Sequence, residues 1–84
     1  MRTSELSFSA LRRLLLDLDF AERTGPRSAI IFEHVPSDTI FVFRQYVSDE
    51  KVNWPDYLSV RNQLDERGLL PADSFDQVLH KTSA

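Results

Sequence analysis

Between Phe8 and Asp19, Phe8, Leu11, Leu15 and Leu18 recur at helical spacing, with Arg12, Arg13 and Asp17 mostly on the other side. Ser7, just ahead of this stripe, has the short hydroxyl side chain of an N-cap. Leu14 and Leu16 widen the apolar face, which predicts a deeply seated helix. The period then changes. Phe20 to Arg23 is short and alternating, and Thr24-Gly25-Pro26 breaks it, which predicts a short strand and a turn. Ser28 to His34 and Thr39 to Tyr46 are the two clear strands, rich in Ile, Val, Phe and Thr. Val35-Pro36-Ser37-Asp38 joins them as antiparallel neighbours.

Side chains alternate across a sheet, so Ile30 and Phe32 share one face while Ala29 and Ile31 take the other. Phe41 and Phe43 are set against Ile40 and Val42 in the same way. Both faces of the hairpin are therefore apolar near its middle. One helical layer covers one of them; the other must meet a further element, a partner or water. Phe41 and Phe43 are the candidate interface residues on the sheet.

The polar stretch Ser48 to Lys51 leads into a second helix with Asn53 as cap and Pro55 in its first turn, where a missing amide donor costs little. Tyr57, Val60 and Leu64 form its stripe, and Gly68 ends it as a left-handed C-terminal residue. From Ala72 to His80, Phe75, Val78 and Leu79 return to helical spacing behind a candidate cap, Asp73; this helix is short and needs tertiary contacts to persist. The order is helix, three strands, helix, short helix. It predicts one α+β domain over residues 1–84, with a core over about 7–70, a three-stranded antiparallel sheet and an additional C-terminal helix over about 72–81.

Composition narrows this picture. Eighty-four residues leave room for one core, and with no cysteine there is neither a disulfide nor a thiolate metal site. Apolar runs stop at four residues, as in Ile40 to Phe43, far short of the roughly 20 that cross a bilayer. Glu5 and Ser7 interrupt any basic-then-apolar leader pattern, so a cytoplasmic protein without membrane contact is expected. Ten Lys and Arg against thirteen Asp and Glu give a net charge of −3, which argues against a strong nonspecific nucleic-acid binder.

Material for chemistry is sparse. Neither His34 nor His80 has a His or carboxylate at ligand spacing, so no metal and no cofactor are expected. Asp17 and Asp19 point apart on a helix, and Gly25 and Gly68 are isolated, so there is no acid/base pair and no phosphate loop. Arg12, Arg13, Arg23 and Arg27 are the basic concentration. They either grip a phosphate backbone or an acidic partner, or solvate a helix face and a turn in pairs with Asp17, Asp19 or Glu22. Trp54, Tyr57 and Tyr46 are either a stacking platform or core packing.

Taken together, several local patterns resemble the HicA-like (YcfA-like) family of small toxins. The carriers are the leucine-rich helix ending in Asp19-Phe20, where the family has Gly-Phe; Gly25; Ser28-Ala29-Ile30-Ile31-Phe32-Glu33-His34; Ile40 to Phe43; and Tyr57 to Leu64 with Gly68-Leu69. The resemblance covers about Ser7 to Leu70. It implies a double-stranded-RNA-binding-like α-β-β-β-α fold and a metal-independent mRNA interferase of a toxin-antitoxin system. The family places its catalytic histidine in a Gly-Ser-His run ahead of the strand's apolar residues, and that position here is Ala29. A methyl group neither accepts nor donates a proton. His34 is the weaker substitute, since it lies five residues on, an odd number that turns it to the opposite face about 16 Å along an unbroken strand. The family's lysine-rich character is missing too, with only Lys51 and Lys81 in the chain.

The expectation is therefore a non-catalytic HicA-like domain acting through protein contact or self-association, as a homodimer or with a small partner such as an antitoxin. The alternatives are an RNA-binding protein, or a residual ribonuclease that uses His34 with the four arginines as phosphate contacts.

Overall fold

Two antiparallel sheets and three helices organise the chain in the computed structural model, which describes residues 3–47 and 49–82. In chain order the elements are β1 (Thr3–Ser7), α1 (Phe8–Asp17), β2 (Ala21–Thr24), β3 (Ile30–His34), β4 (Thr39–Phe43), β5 (Lys51–Asn53), α2 (Trp54–Glu66) and α3 (Ala72–Thr82). The architecture is α+β, with the expected three-stranded antiparallel sheet in the order β2-β3-β4 and the expected short C-terminal helix. Among the described residues no helix is long and apolar enough to cross a membrane.

Local signals work where they are self-contained. The Ser7 hydroxyl accepts a hydrogen bond from the Ala10 amide at 3.3 Å and caps α1. Pro55 sits in the first turn of α2. Gly68, at φ 71°, turns the chain out of that helix while the Leu69 amide bonds back to the Leu64 carbonyl at 2.9 Å. Asn53 holds the cap position of α2, but its side chain makes no capping bond. Asp73 lies inside the first turn of α3, which opens at Ala72 with the Phe75 amide on the Pro71 carbonyl.

The two hairpin strands are shorter than expected, each for a visible reason. Residues Pro26–Ser28 form a 3-10 turn with Arg27 and Ser28 at φ 58° and 63°, so β3 begins at Ile30. At the other end, Thr39, Phe41 and Phe43 face the core, and strict alternation would turn Tyr46 outward. Tyr46 instead stacks on Phe8 (centroids 4.9 Å apart), donates its hydroxyl to Asp56 Oδ2 at 2.6 Å and accepts from the Asn53 amide at 3.1 Å. Its burial requires the alternation to break between Phe43 and Tyr46, and the ladder ends with Phe43 opposite Ile30, the first residue of β3.

β1 and β5 form a second, two-stranded sheet that the hydrophobic pattern does not announce. Ser4 and Leu6 point inward; the Ser4 hydroxyl donates to the Val52 carbonyl at 2.8 Å and accepts from the Leu6 amide at 3.2 Å. This joins the start of α1 to the start of α2.

The core lies between the helices and one face of the larger sheet. Leu11 and Leu15 of α1, Tyr57, Val60 and Leu64 of α2, and Phe75 of α3 meet Phe32, Phe41 and Phe43. Phe8 sits 5.9 Å from Phe43 edge-on, and Phe20 stacks at 5.5 Å on Phe41. α3 packs on α2 and β1, where Phe75 is buried 5.1 Å from Tyr57. Phe75 therefore adds to the helical side and leaves the opposite sheet face to other occupants. The side chains of Val78, Leu79 and His80 lie outside the described residues.

Candidate functional site on the open sheet face

β4 divides its residues sharply. Phe41 and Phe43 are each 4% exposed, whereas Ile40 and Val42 are 47% and 63% exposed. A contact surface on this sheet therefore falls to Ile40 and Val42 and not to Phe41 and Phe43. The aromatic rings, the larger apolar surfaces, are the ones turned to the helices.

The register completes this open face. Val42 stands opposite Ile31 and Ile31 opposite Arg23; Ile40 stands opposite Glu33 and Glu33 opposite Ala21. Arg23 and Glu33 form a loose ion pair, 3.8 Å apart, with side chains 60% and 36% exposed. Ile31 is nearly covered by its own chain: Gly25 lies so close that a Cβ there would come within 2.6 Å of Ile31 Cδ1 and would have to push the end of that side chain aside.

The four arginines do not converge. Arg12 donates from Nε to Glu22 Oε1 at 2.6 Å, tying α1 to β2. Glu22 is opposite Phe32 and so lies on the helical side, while Arg23 lies on the open side; Arg12 and Arg23 thus belong to opposite faces of the sheet. Arg13 and Arg27 are exposed, with no ion pair among the described residues. A shallow groove of about 580 Å³ runs along α1 between Ser7, Ser9, Ala10, Arg12, Arg13 and Leu16.

Ala29 is half-buried just before β3, its amide donating to the Pro26 carbonyl at 3.1 Å and its carbonyl accepting from the Gly25 amide at 2.8 Å. His34 lies at the far end of that strand, with Nδ1 2.7 Å from Ser37 Oγ and its ring 5.1 Å from Phe20. Ser37 Oγ continues to Thr39 Oγ1 at 2.7 Å, and Arg67 donates to the Ser37 carbonyl at 2.8 Å. These bonds brace the hairpin turn. Ala29 and His34 sit at opposite ends of β3 and are not brought together. Among the described residues no three His, Asp or Glu side chains gather to hold a metal.

The three aromatics resolve as core. Tyr46 and Tyr57 are buried, and half-buried Trp54 stacks on Tyr57 at 5.2 Å. Burial, then the bond to Asp76, pushes the Tyr57 hydroxyl up to about 12; burial and Asp56 raise Tyr46 in the same direction. Polar clamps invisible to periodicity support the scaffold: Arg44 pairs with Glu50 and lies 4.0 Å over the Tyr46 ring, and Arg61 grips Asp76 through Nε and Nη2 at 3.0 and 3.1 Å. Opposite-sign residues spaced along the chain were the only sequence signal for them.

Compared with family models, curated proteins and solved structures, the chain matches none.

Proposed function

We propose that this chain is a cytoplasmic HicA-like domain that does not cut RNA and works through protein contact on the open face of its β2-β3-β4 sheet. The observation that carries this reading is the exposure of Ile40 and Val42, side by side on a face that no helix covers among the described residues. Adjoining apolar side chains on an open face lose unfavourable contact with water when a partner covers them. The partner is a small protein, such as an antitoxin or another copy of the chain.

Two findings support the HicA-like part. Leaving aside the paired β1 and β5, the element order is helix, three antiparallel strands, helix. Asp19, where the family has glycine, adopts φ 70°, the left-handed conformation that glycine takes without strain. Two others speak against catalysis: the methyl of Ala29 offers no proton, and His34 is engaged with Ser37 at the other end of the strand. An RNA-binding reading draws on one feature, the exposed Arg13 and Arg27, which have no ion pair among the described residues, but Arg12 and Arg23 belong to opposite faces of the sheet.

Native mobility of the chain in cell extract, with the chain added up to submillimolar concentration, tests the proposal. The chain is expected to migrate in a complex that survives ribonuclease, and Val42→Asp is expected to return it to free mobility. Release by ribonuclease and by Arg13→Glu, or cleavage of RNA that vanishes in His34→Ala, overturns the reading.

A further inference from the structure

We propose that a second copy of this chain covers the open sheet face, stacked face to face about a two-fold axis that runs across the strands. The inference rests on the reading of that face as a protein-contact surface and names its partner.

The face is a grid of two rows. Read from β2 to β4, one row is Arg23, Ile31, Val42 and the other is Ala21, Glu33, Ile40. The rows lie two residues apart, about 6.8 Å along the strands, and neighbouring columns about 4.8 Å apart. A two-fold axis across the strands, midway between the rows, exchanges them. Val42 then lies over Ile40 of the second copy and Ile40 over its Val42. Arg23 comes within one strand spacing, about 4.8 Å sideways, of the second copy's Glu33, and the reverse contact forms by symmetry. Each carboxylate gains a second guanidinium. Both side chains have room for it, because their pair within one chain is long, at 3.8 Å, and partly exposed.

The charges select this axis over its alternative. An axis along the strands lays β2 over β4, sets Arg23 on the apolar Val42 and places Glu33 directly on Glu33. Like charges in register are repulsive. Exchange of the rows sets Val42 on Ile40 and brings Arg23 beside Glu33, with Arg23 directly over Ala21 and Ile31, only 8% exposed, under Glu33; the twist of the two sheets gives the aligned packing of sandwiches, about 30° between strand directions. The face is small, so association belongs at the low end of interface sizes and depends on concentration.

Sedimentation of the full chain up to submillimolar concentration is expected to show a monomer–dimer equilibrium. Arg23→Glu and Glu33→Arg, each alone, are expected to be monomers. An equal mixture of the two is expected to associate again, because every contact between copies then pairs Glu with Arg while the pair within each chain stays broken. A wild-type monomer throughout, or a mixture that stays monomeric while the wild type dimerises, overturns the proposal. A photoreactive residue at position 42, used in cells, separates this inference from the reading beneath it. An adduct of twice the chain's mass supports the second copy; an adduct with a different protein overturns the second copy and leaves the contact surface standing; no adduct overturns both.

Discussion

The Tyr57 hydroxyl on α2 donates to Asp76 Oδ1 on α3 at 2.8 Å, and Arg61, four residues further along α2, holds both oxygens of the same carboxylate. With Phe75 buried against Tyr57, these contacts fasten the C-terminal helix. Tyr57→Phe keeps the ring and removes the bond, so it is expected to cost about 1 kcal/mol in urea denaturation.

The same hydroxyl sets an alkaline limit. Tyr57 is raised to about 12, above the tyrosine value of about 10 in the unfolded chain. Its contribution is therefore complete below about pH 10 and is lost as pH rises toward 12, with a slope of at most about 1.4 kcal/mol per pH unit per tyrosine. Tyr46 shifts in the same direction. Stability measured from pH 9 to 12 is expected to fall across this window, and less steeply in Tyr57→Phe.

Adjacent residues of β4 are expected to respond very differently. Phe41→Ala opens a cavity among Phe20, Phe32 and Phe43 and is expected to cost about 3–5 kcal/mol, enough to unfold much of so small a domain. Val42→Asp faces outward and is expected to cost about 1 kcal/mol or less. Thermal melts followed by circular dichroism compare the two.

Asp19 carries left-handed strain that glycine relieves. At φ 70°, Asp19→Gly is expected to stabilise the fold by a net of about 0.5–1 kcal/mol, raising the melting temperature by about 2–8 °C. Gly68→Ala, at φ 71°, is expected to act in the opposite sense by about 1 kcal/mol.

His34 braces a turn. His34→Ala is expected to lower stability by about 1 kcal/mol through loss of the Ser37 bond, and to leave messenger RNA as intact as the wild-type chain leaves it. Gel analysis of RNA incubated with each protein reads both.

What was legible in the sequence follows the range of the interaction. Ser7, Pro55 and Gly68 mark helix ends because their effects are confined to one turn. Alternation correctly paired Ile40 with Val42 against Phe41 with Phe43, yet it carries no sign saying which face the helices take. The β1–β5 sheet was hidden because Ser4 reaches Val52, 48 residues away, through backbone groups and one hydroxyl. Tyr46 has the sequence pattern of a strand residue because nothing local reveals that Asp56 and Asn53 draw it into the core. The arginines clustered in sequence but not in space, since Arg12 and Arg23 extend to opposite faces of the sheet.

Methyl spectra of the chain, labelled at Ile, Leu and Val and recorded in cell extract, test most directly which surface works. Broadening or shifts centred on Ile40 and Val42, with Leu16 on the α1 groove unchanged, are the expected result. Changes centred on Leu16 with Ile40 and Val42 unmoved would contradict the account and move the contact to the arginine-bordered groove.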